Sequence, residues 1–427
     1  MATDMADAGR RHDVVVVGAG LSGLVAATRL RQAGADVAVV EAGSEVGGRT
    51  RSRTLAGRTV DVGGELVGRD YTRLSGIVAA LGLRLEPAAP PMPHLRWDER
   101  ARPPLRPSTA SGLMAAAARL HHLCSLLPPQ APWHAPLADR LDALSLEDWL
   151  TRAPVDERTA RLVGAAAQAF TTAPPHGLSL LAFLQWLKPA GGLSALWRET
   201  PWRIRGGAQQ VARRLAARLG DRVVCASPVH AIEQNGAEVA VHTEDGAVRR
   251  ARRAAVCTPL AATGSIAFTL GLPTAQRGLL DQVHSPAVTK LLAASADIPR
   301  RGVLAAGDAI MPLAMADDHH AVGLAYGADT ALPTPRLRDH LTAVLGLDGS
   351  ALASEAIAQA WHEEPYIGGG YPAFAPGQLT RHGPALRAGH DRVHFAGADR
   401  STWPGTMEGA VRDGERVAAE IRTRLGA

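Results

Sequence analysis

Four consecutive β-branched residues, Val14 to Val17, make the first apolar run of the chain. A run this short and unbroken predicts a strand buried on both faces, as parallel strands are. Gly18-Ala19-Gly20-Leu21-Ser22-Gly23 follows at once. Leu24 to Ala33 then places apolar residues at Leu24, Ala27 and Leu30 and stops at Gly34, which predicts a helix. Val37 to Val40 reads as a second buried strand with Glu41 at its end. Together these segments predict one compact βαβ unit.

Further on the pattern is looser. Residues 86–110 are rich in Pro and Arg and read as loop, with one short strand at His94 to Trp97. Residues 111–127 and 138–170 read as helical. Leu178 to Trp197 is the most apolar stretch, but Gln185, Lys188, Pro189 and Gly191-Gly192 interrupt it, which predicts a buried helix ending near Pro189 rather than a membrane span. Val223 to Val248 reads as three strands joined by turns at Asn235-Gly236 and Asp245-Gly246. A further strand is expected at Ala254 to Thr258, and residues 271–385 mix strands and helices. Val393 to Ala396 predicts another buried strand, and a helix is expected from about Thr406 to Leu425. No internal repeat is visible.

Composition narrows the function classes. The 427 residues are 46% hydrophobic and 20% charged, which places the chain among globular proteins and gives room for two domains. A net charge of +5 is small for this length and gives no ground for a nucleic-acid partner. Lys188 and Lys290 are the only lysines among the 46 basic residues, so arginine positions carry little information and the lysines carry more. Cys124, Cys225 and Cys257 are too far apart and too few for a disulfide framework, which points to a reducing cytoplasm. The first twelve residues are polar and have no apolar core, so no signal peptide is expected. His121-His122 and His319-His320 lack partners at ligand spacing, so no metal site is expected.

The glycine triplet carries the first chemical signal. In Gly18-x-Gly20-x-x-Gly23 the first glycine allows the tight turn, the second lets a pyrophosphate approach the backbone, and the third lets helix and strand pack closely. The N-terminus of the helix presents unpaired N–H groups and a positive dipole end to that phosphate, and Leu21 and Ser22, in the turn leading to it, are cofactor-binding candidates. Glu41, 18 residues beyond Gly23, can accept hydrogen bonds from ribose hydroxyls and would repel a 2′-phosphate.

Later blocks identify the dinucleotide. Glu41-Ala42, followed by Gly47-Gly48-Arg49, resembles the extended fingerprint of FAD-containing oxidoreductases of the amine oxidase and desaturase group. Asp61-Val62-Gly63-Gly64-Glu65-Leu66-Val67-Gly68 is similar to the next block of that group, and Phe395-Ala396-Gly397-Ala398-Asp399 with Trp403-Pro404-Gly405-Thr406-Met407-Glu408-Gly409 to the closing motif of the monoamine oxidase family. The resemblance implies non-covalent FAD, with Arg49 near the pyrophosphate, Gly63, Gly64 and Glu65 along the flavin, Val229 at the adenine, Asp399 on the ribityl chain and the helix from Met407 aimed at the pyrimidine edge. It also implies that Lys290 holds a water against flavin N5, and that Tyr371 forms one wall of an aromatic cage whose other wall falls on Thr406, which is not aromatic.

The fold implied is α/β: a discontinuous Rossmann-like FAD-binding domain over 1–85, 203–270 and 386–427, and an α+β substrate domain over 86–202 and 271–385. The activity implied is hydride transfer from the Cα–N carbon of a small-molecule amine to flavin N5. It yields an imine and, with O2 as acceptor, hydrogen peroxide. A homodimer is compatible with this reading. The alternative is a C–C desaturase or dehydrogenase of the carotenoid or protoporphyrinogen type. Trp186, Trp197 and Trp202 are candidates for the substrate cavity or for plain core, and Arg69, Arg96 and Arg205 for a substrate carboxylate or for surface.

Overall fold

The computed structural model describes residues 10–88, 94–97, 106–193, 201–295, 298, 300–306, 310–317 and 319–426. Trp197, Asp318 and the side chain of Arg96 lie outside them. The valine run is β1 (Arg11–Val17), joined through α1 (Leu21–Gln32) to β2 (Val37–Val40). The two strands are parallel, with Val14 opposite Val37 and Val17 opposite Val40. Both faces are buried. Val14, Val16, Val37 and Val39 pack with Leu24 and Val25 of α1, whereas Val15, Val17, Ala38 and Val40 pack with Ile232, Val239 and Val241. Each buried valine contributes about 1.5–3 kcal/mol, so layers on both sides, not strand propensity, hold these strands in place.

The sheet runs in the order Ala267–Phe268, Val229–Gln234, Val239–Thr243, Val248–Val256, β1, β2, Val223–Val224. Val393–Phe395 also pairs with Val248–Val256, in parallel. Val256 therefore sits between Val17 and Phe395. That register brings the glycine turns after the first and last strands to the same end of the sheet. In an open α/β sheet, ligands bind at this carboxyl end.

Several elements depart from the sequence expectation. The helix α1 starts at Leu21 rather than Leu24, with Gly20 as its N-cap, because Gly23 belongs to its first turn. Val248–Val256 is one continuous strand where two were expected. Val223–Val224 pairs with β2, so it is not the neighbour of Val229–Gln234. Residues 138–170 form three helices, Ala138–Asp142, Leu146–Arg152 and Glu157–Thr171. Ser145 and Asp148 build a capping box before the second, and Asp156 caps the third through the Thr159 N–H.

A second sheet has the order Leu352–Ala360, Val288–Ser295, His320–Tyr326, Leu313–Ala316, Arg301–Ala306, His94–Trp97. It is antiparallel except for its last pair. The Glu157–Thr171 helix lies against it through Leu162, Ala166 and Ala169, which meet Leu304, Ala306 and Leu313. Leu180–Leu187, the helix expected before Pro189, is buried among the other helices. No helix among the described residues is long and apolar enough to cross a membrane.

Candidate active site

One cavity of about 870 Å³ joins the two sheets. Its wall collects residues from the whole length of the chain: Gly18, Gly20, Leu21 and Ser22; Glu41, Ala42, Gly48 and Arg49; Gly63, Gly64 and Glu65; Val229; Lys290; Tyr371; and Gly397, Thr406 and Met407. Two residues expected at the site do not line it. Gly23 lies beneath the turn, where a Cβ would stand 2.0 Å from the Gly18 carbonyl oxygen. Asp399 is buried, accepting from Arg49 Nη2 through one oxygen and from the Leu260 N–H, at 3.1 Å, through the other.

At the end near β1 the backbone makes the cradle. A Cβ on Gly20 would meet no atom within 4 Å, so the space beside this glycine is open cavity. Gly20 gives α1 no side-chain cap, and the first-turn N–H groups remain available to an anion. Glu41 accepts from the Ala19 N–H at 2.6 Å and the Gly43 N–H at 2.8 Å. Burial raises its carboxyl pKa and these two bonds lower it, with burial prevailing. Arg49 ties three segments together: Nη1 donates to the Gly370 carbonyl at 2.8 Å while Nη2 holds Asp399.

The middle of the cavity carries a buried ion pair. Lys290 Nζ donates to Glu65 Oε2 at 2.8 Å and to the Gly63 carbonyl at 3.1 Å. Burial pushes the Glu65 carboxyl up, but the Lys290 charge and hydrogen bond prevail and hold it below its ordinary value. Asp61, at the start of the same segment, accepts from Ser52 Oγ at 2.6 Å and from the Ala208 N–H at 2.9 Å. Burial lifts its carboxyl to about 6, against the Ser52 bond and with help from the Glu65 charge. This folded value lies above the unfolded one, so ionisation works against the fold. The contribution is fullest below pH about 4 and is lost as the pH rises through about 6. Asp61→Asn is expected to remove that slope, about 3 kcal/mol of unfolding free energy across this range, so that the melting temperature of the flavin-free protein no longer falls with it. A variant whose pH profile matches the parent would contradict the assignment.

The far end is apolar and aromatic. Phe170 and Trp186 stack with centroids 5.5 Å apart, beside Ala169, Leu313, Met315 and Leu324. Thr172, at a left-handed φ of 62°, ends the Glu157–Thr171 helix there and accepts from the Tyr371 N–H at 3.3 Å. Such strain in a non-glycine residue clusters at functional sites. Trp186 thus lines the cavity, whereas Trp202 is 41% exposed and Arg205 pairs with Glu86; neither reaches it. Arg69 does line it. Trp403 of the closing motif also lines it, as do Tyr71, Phe170 and Thr172, which were not anticipated. Tyr71 stands in a polar turn and Phe170 and Thr172 at the end of a helix, so no local pattern marks these three.

These features fit an extended flavin dinucleotide with a small apolar molecule beside its head. The flavin containing amine oxidoreductase family model matches residues 21–422. The chain belongs to this family, and its cofactor is FAD. Flavin-containing amine oxidase B of Sus scrofa is 32% identical over 450 residues, covering 97% of this chain and 86% of that protein. Among solved structures, putrescine oxidase bound to putrescine superposes with a TM-score of 0.91 at 27% identity, covering 97% of this chain and all of that one. Cyclohexylamine oxidase from Brevibacterium oxydans IH-35A superposes with a TM-score of 0.87 at 26% identity, covering 98% and 100%. The expected α/β architecture and FAD-dependent amine oxidation therefore hold for this member of the family.

Proposed function

We propose that this flavin amine oxidase oxidises a small, largely apolar amine at the Tyr371 end of the cavity and passes the electrons to O2. Bound FAD would supply the hydride acceptor for the carbon bearing the nitrogen and the two-electron donor to O2, so the products would be an imine and hydrogen peroxide. The chain's residues bind and orient. The Gly18–Gly23 turn and the start of α1 hold the pyrophosphate, Glu41 the adenosine ribose and Val229 the adenine. Ala42, Gly48 and Arg49 close over the pyrophosphate, and Gly63, Gly64 and Glu65 flank the ring system. Asp399 would act by fixing Arg49, and Gly397, in the cavity wall, would border the ribityl chain. The C-terminal helix (Met407–Leu425) directs its positive end at the flavin head, where a dipole stabilises the charge gained on reduction.

Lys290 presents a buried cation to the same head. Tyr371 and Thr406 face the amine, and Phe170, Trp186, Met315 and Leu324 exclude water from it. Orientation supplies much of the rate if the amine arrives neutral, so no side-chain base is assigned. In this reading 1–85, 203–270 and 386–427 hold the cofactor, and 86–202 and 271–385 shape the substrate pocket. Gly370 offers no side chain for a bond to flavin, which supports non-covalent FAD. The three free cysteines fit a reducing, cytoplasmic setting.

The observation that carries this reading is the single cavity that joins the glycine cradle to the Phe170–Trp186 pocket. An amine panel tests it. Apolar primary and secondary amines are expected to bleach the flavin without oxygen, and to give peroxide and a carbonyl product after imine hydrolysis in air. Bleaching by a polyene or cyclic hydrocarbon, with none by amines, would overturn it.

A further inference from the structure

Asp413 is 1% exposed, on the buried face that the C-terminal helix forms with Ala410, Val411 and Val417. It does not line the cavity. A carboxylate is kept out of water only where donors compensate the loss. Three do so here. Oδ1 accepts from Arg416 Nε at 2.6 Å, and Oδ2 accepts from Arg416 Nη2 at 3.2 Å and from the Gly397 N–H at 3.0 Å.

Gly397 does line the cavity. It follows the Val393–Phe395 strand closely and has φ 145°, a conformation that favours glycine. Within its turn, the Gly397 carbonyl accepts from the Arg400 N–H at 3.1 Å and the Ala398 carbonyl from the Gly405 N–H at 3.1 Å. The Gly397 N–H is instead held from behind, by a different element. Arg416 braces the same point. Its Nη2 also donates to the Phe395 carbonyl at 2.6 Å, and its Nη1 donates to Glu420 at 2.9 Å, whose other oxygen lies 2.7 Å from His394 Nδ1.

Positive charge gathers behind this turn. Arg400 is 1% exposed, and its guanidinium lies over the Phe395 ring at 4.8 Å. Its Nη1 donates to the Leu386 carbonyl at 2.9 Å, while Nε and Nη2 have no partner among the described residues. Arg387 Nε donates to the Arg400 carbonyl at 2.9 Å and lies 3.6 Å from Asp413 Oδ1. Asp399 is already engaged by Arg49 and the Leu260 N–H. That leaves Asp413 as the buried carboxylate set against Arg387 and Arg416, with Arg400 in its field. Burial lowers the Arg400 pKa to about 10, against the charges of Asp399 and Asp413.

We propose that Asp413 is a positioning residue for the flavin. Its hydrogen bond fixes the Gly397 turn at the cofactor cavity, and its charge offsets the arginines behind that turn. Without this charge a net positive group stands near a cofactor that becomes more negative on reduction, so the reduced state is favoured. The inference rests on FAD as the family's cofactor, and its test needs neither an amine nor oxygen.

Asp413→Asn removes the charge with little change of shape. Its amide has a single acceptor oxygen, so its NH2 group must face either the Gly397 N–H or an Arg416 donor. Two properties of the holoenzyme are read. One is the rate at which FAD leaves after dilution, followed by flavin fluorescence. The other is the midpoint potential, found by equilibration with a reference dye during anaerobic reduction by dithionite. FAD is expected to leave about tenfold faster. The potential is expected to rise by about 30 mV, a tenfold change in the two-electron equilibrium. Glu420→Gln removes the outer partner of Arg416 without touching the turn. It should lower the melting temperature while both flavin readings stay within about twofold of the parent in rate and equilibrium. If Asp413→Asn loses FAD during purification, Asp413→Ser is held to the same two readings. A parental release rate or a parental potential in the Asp413 variant overturns the proposal. So does a Glu420→Gln variant that matches it in either reading, because loosening the helix would then suffice.

Discussion

Replacing Lys290 with methionine is expected to slow reoxidation of the reduced flavin by about a hundredfold, the scale set by losing one preorganised electrostatic group in a dry site. Reduction by amine should change far less, because that step needs no cation at this position. The same substitution removes the one side-chain donor that, among the described residues, bonds the buried Glu65 carboxylate, whose Oε2 accepts from Lys290 at 2.8 Å. Leaving one member of a buried pair unpaired costs about 3–5 kcal/mol. The pH dependence should change sign. In the parent, Glu65 lies below its ordinary pKa despite burial, so its stabilisation is present above the unfolded value and lost as the pH falls through the folded one. Without Lys290, burial of Glu65 is opposed only by the smaller effects of the His320 and Arg203 charges, and stability should fall as the pH rises. Adding Glu65→Gln should recover stability but not the oxygen rate. Stopped-flow mixing with air-saturated buffer and melting curves separate the two effects. An unchanged rate of reoxidation would remove Lys290 from the oxygen-side role.

Gly23→Ala should have the largest effect on cofactor content. The added Cβ would stand 2.0 Å from the Gly18 carbonyl oxygen, in the turn after β1, and 3.2 Å from a methyl of Val16 in the buried strand itself. Backbone cannot yield as a flexible side chain would, so α1 must move away from β1. That shift carries the first-turn N–H groups out of register with the cradle, and it also disturbs the C-terminal helix, which packs so closely that a Cβ on Gly414 would lie 2.4 Å from the Ser22 carbonyl oxygen. The variant is expected to purify with less than about a tenth of the parental flavin and to lose about 1–3 kcal/mol of stability from overpacking. The visible absorbance per chain and a melting curve report both. Full flavin content at the parental melting temperature would show that this contact does not govern the cradle.

Much of the cofactor end was legible in the sequence because its signals are local. The Val14–Val17 run, the glycine triplet and Glu41 follow one another within a single βαβ unit, and each residue's constraint comes from neighbours a few positions away. The closing segment from Phe395 to Met407 is legible for the same reason. What stayed hidden depends on distant contacts. Lys290 and Glu65 are 225 positions apart, so their pairing has no sequence signature. Arg49 and Asp399 are 350 apart, which is why Asp399 reads as a cavity residue although its oxygens are turned to Arg49 and Leu260. Residues 138–170 read as one helical stretch because apolar periodicity persists across their breaks; the breaks are set by the caps at Ser145 and Asp156. Tyr71 is silent in sequence because its place in the cavity wall depends on Glu408, a residue 337 positions away that anchors the helix Tyr71 begins.

One anaerobic experiment tests most directly whether the cavity holds FAD at its glycine end and an amine at its aromatic end. The purified protein is scanned in the visible region, mixed without oxygen with an apolar amine, and then precipitated with acid. The expected result is a yellow protein whose blue-region band bleaches on amine addition and returns with air, followed by release of FAD, about one per chain, into the supernatant. A protein that is colourless and cannot be reconstituted with FAD, or one whose band no amine diminishes, would contradict the account.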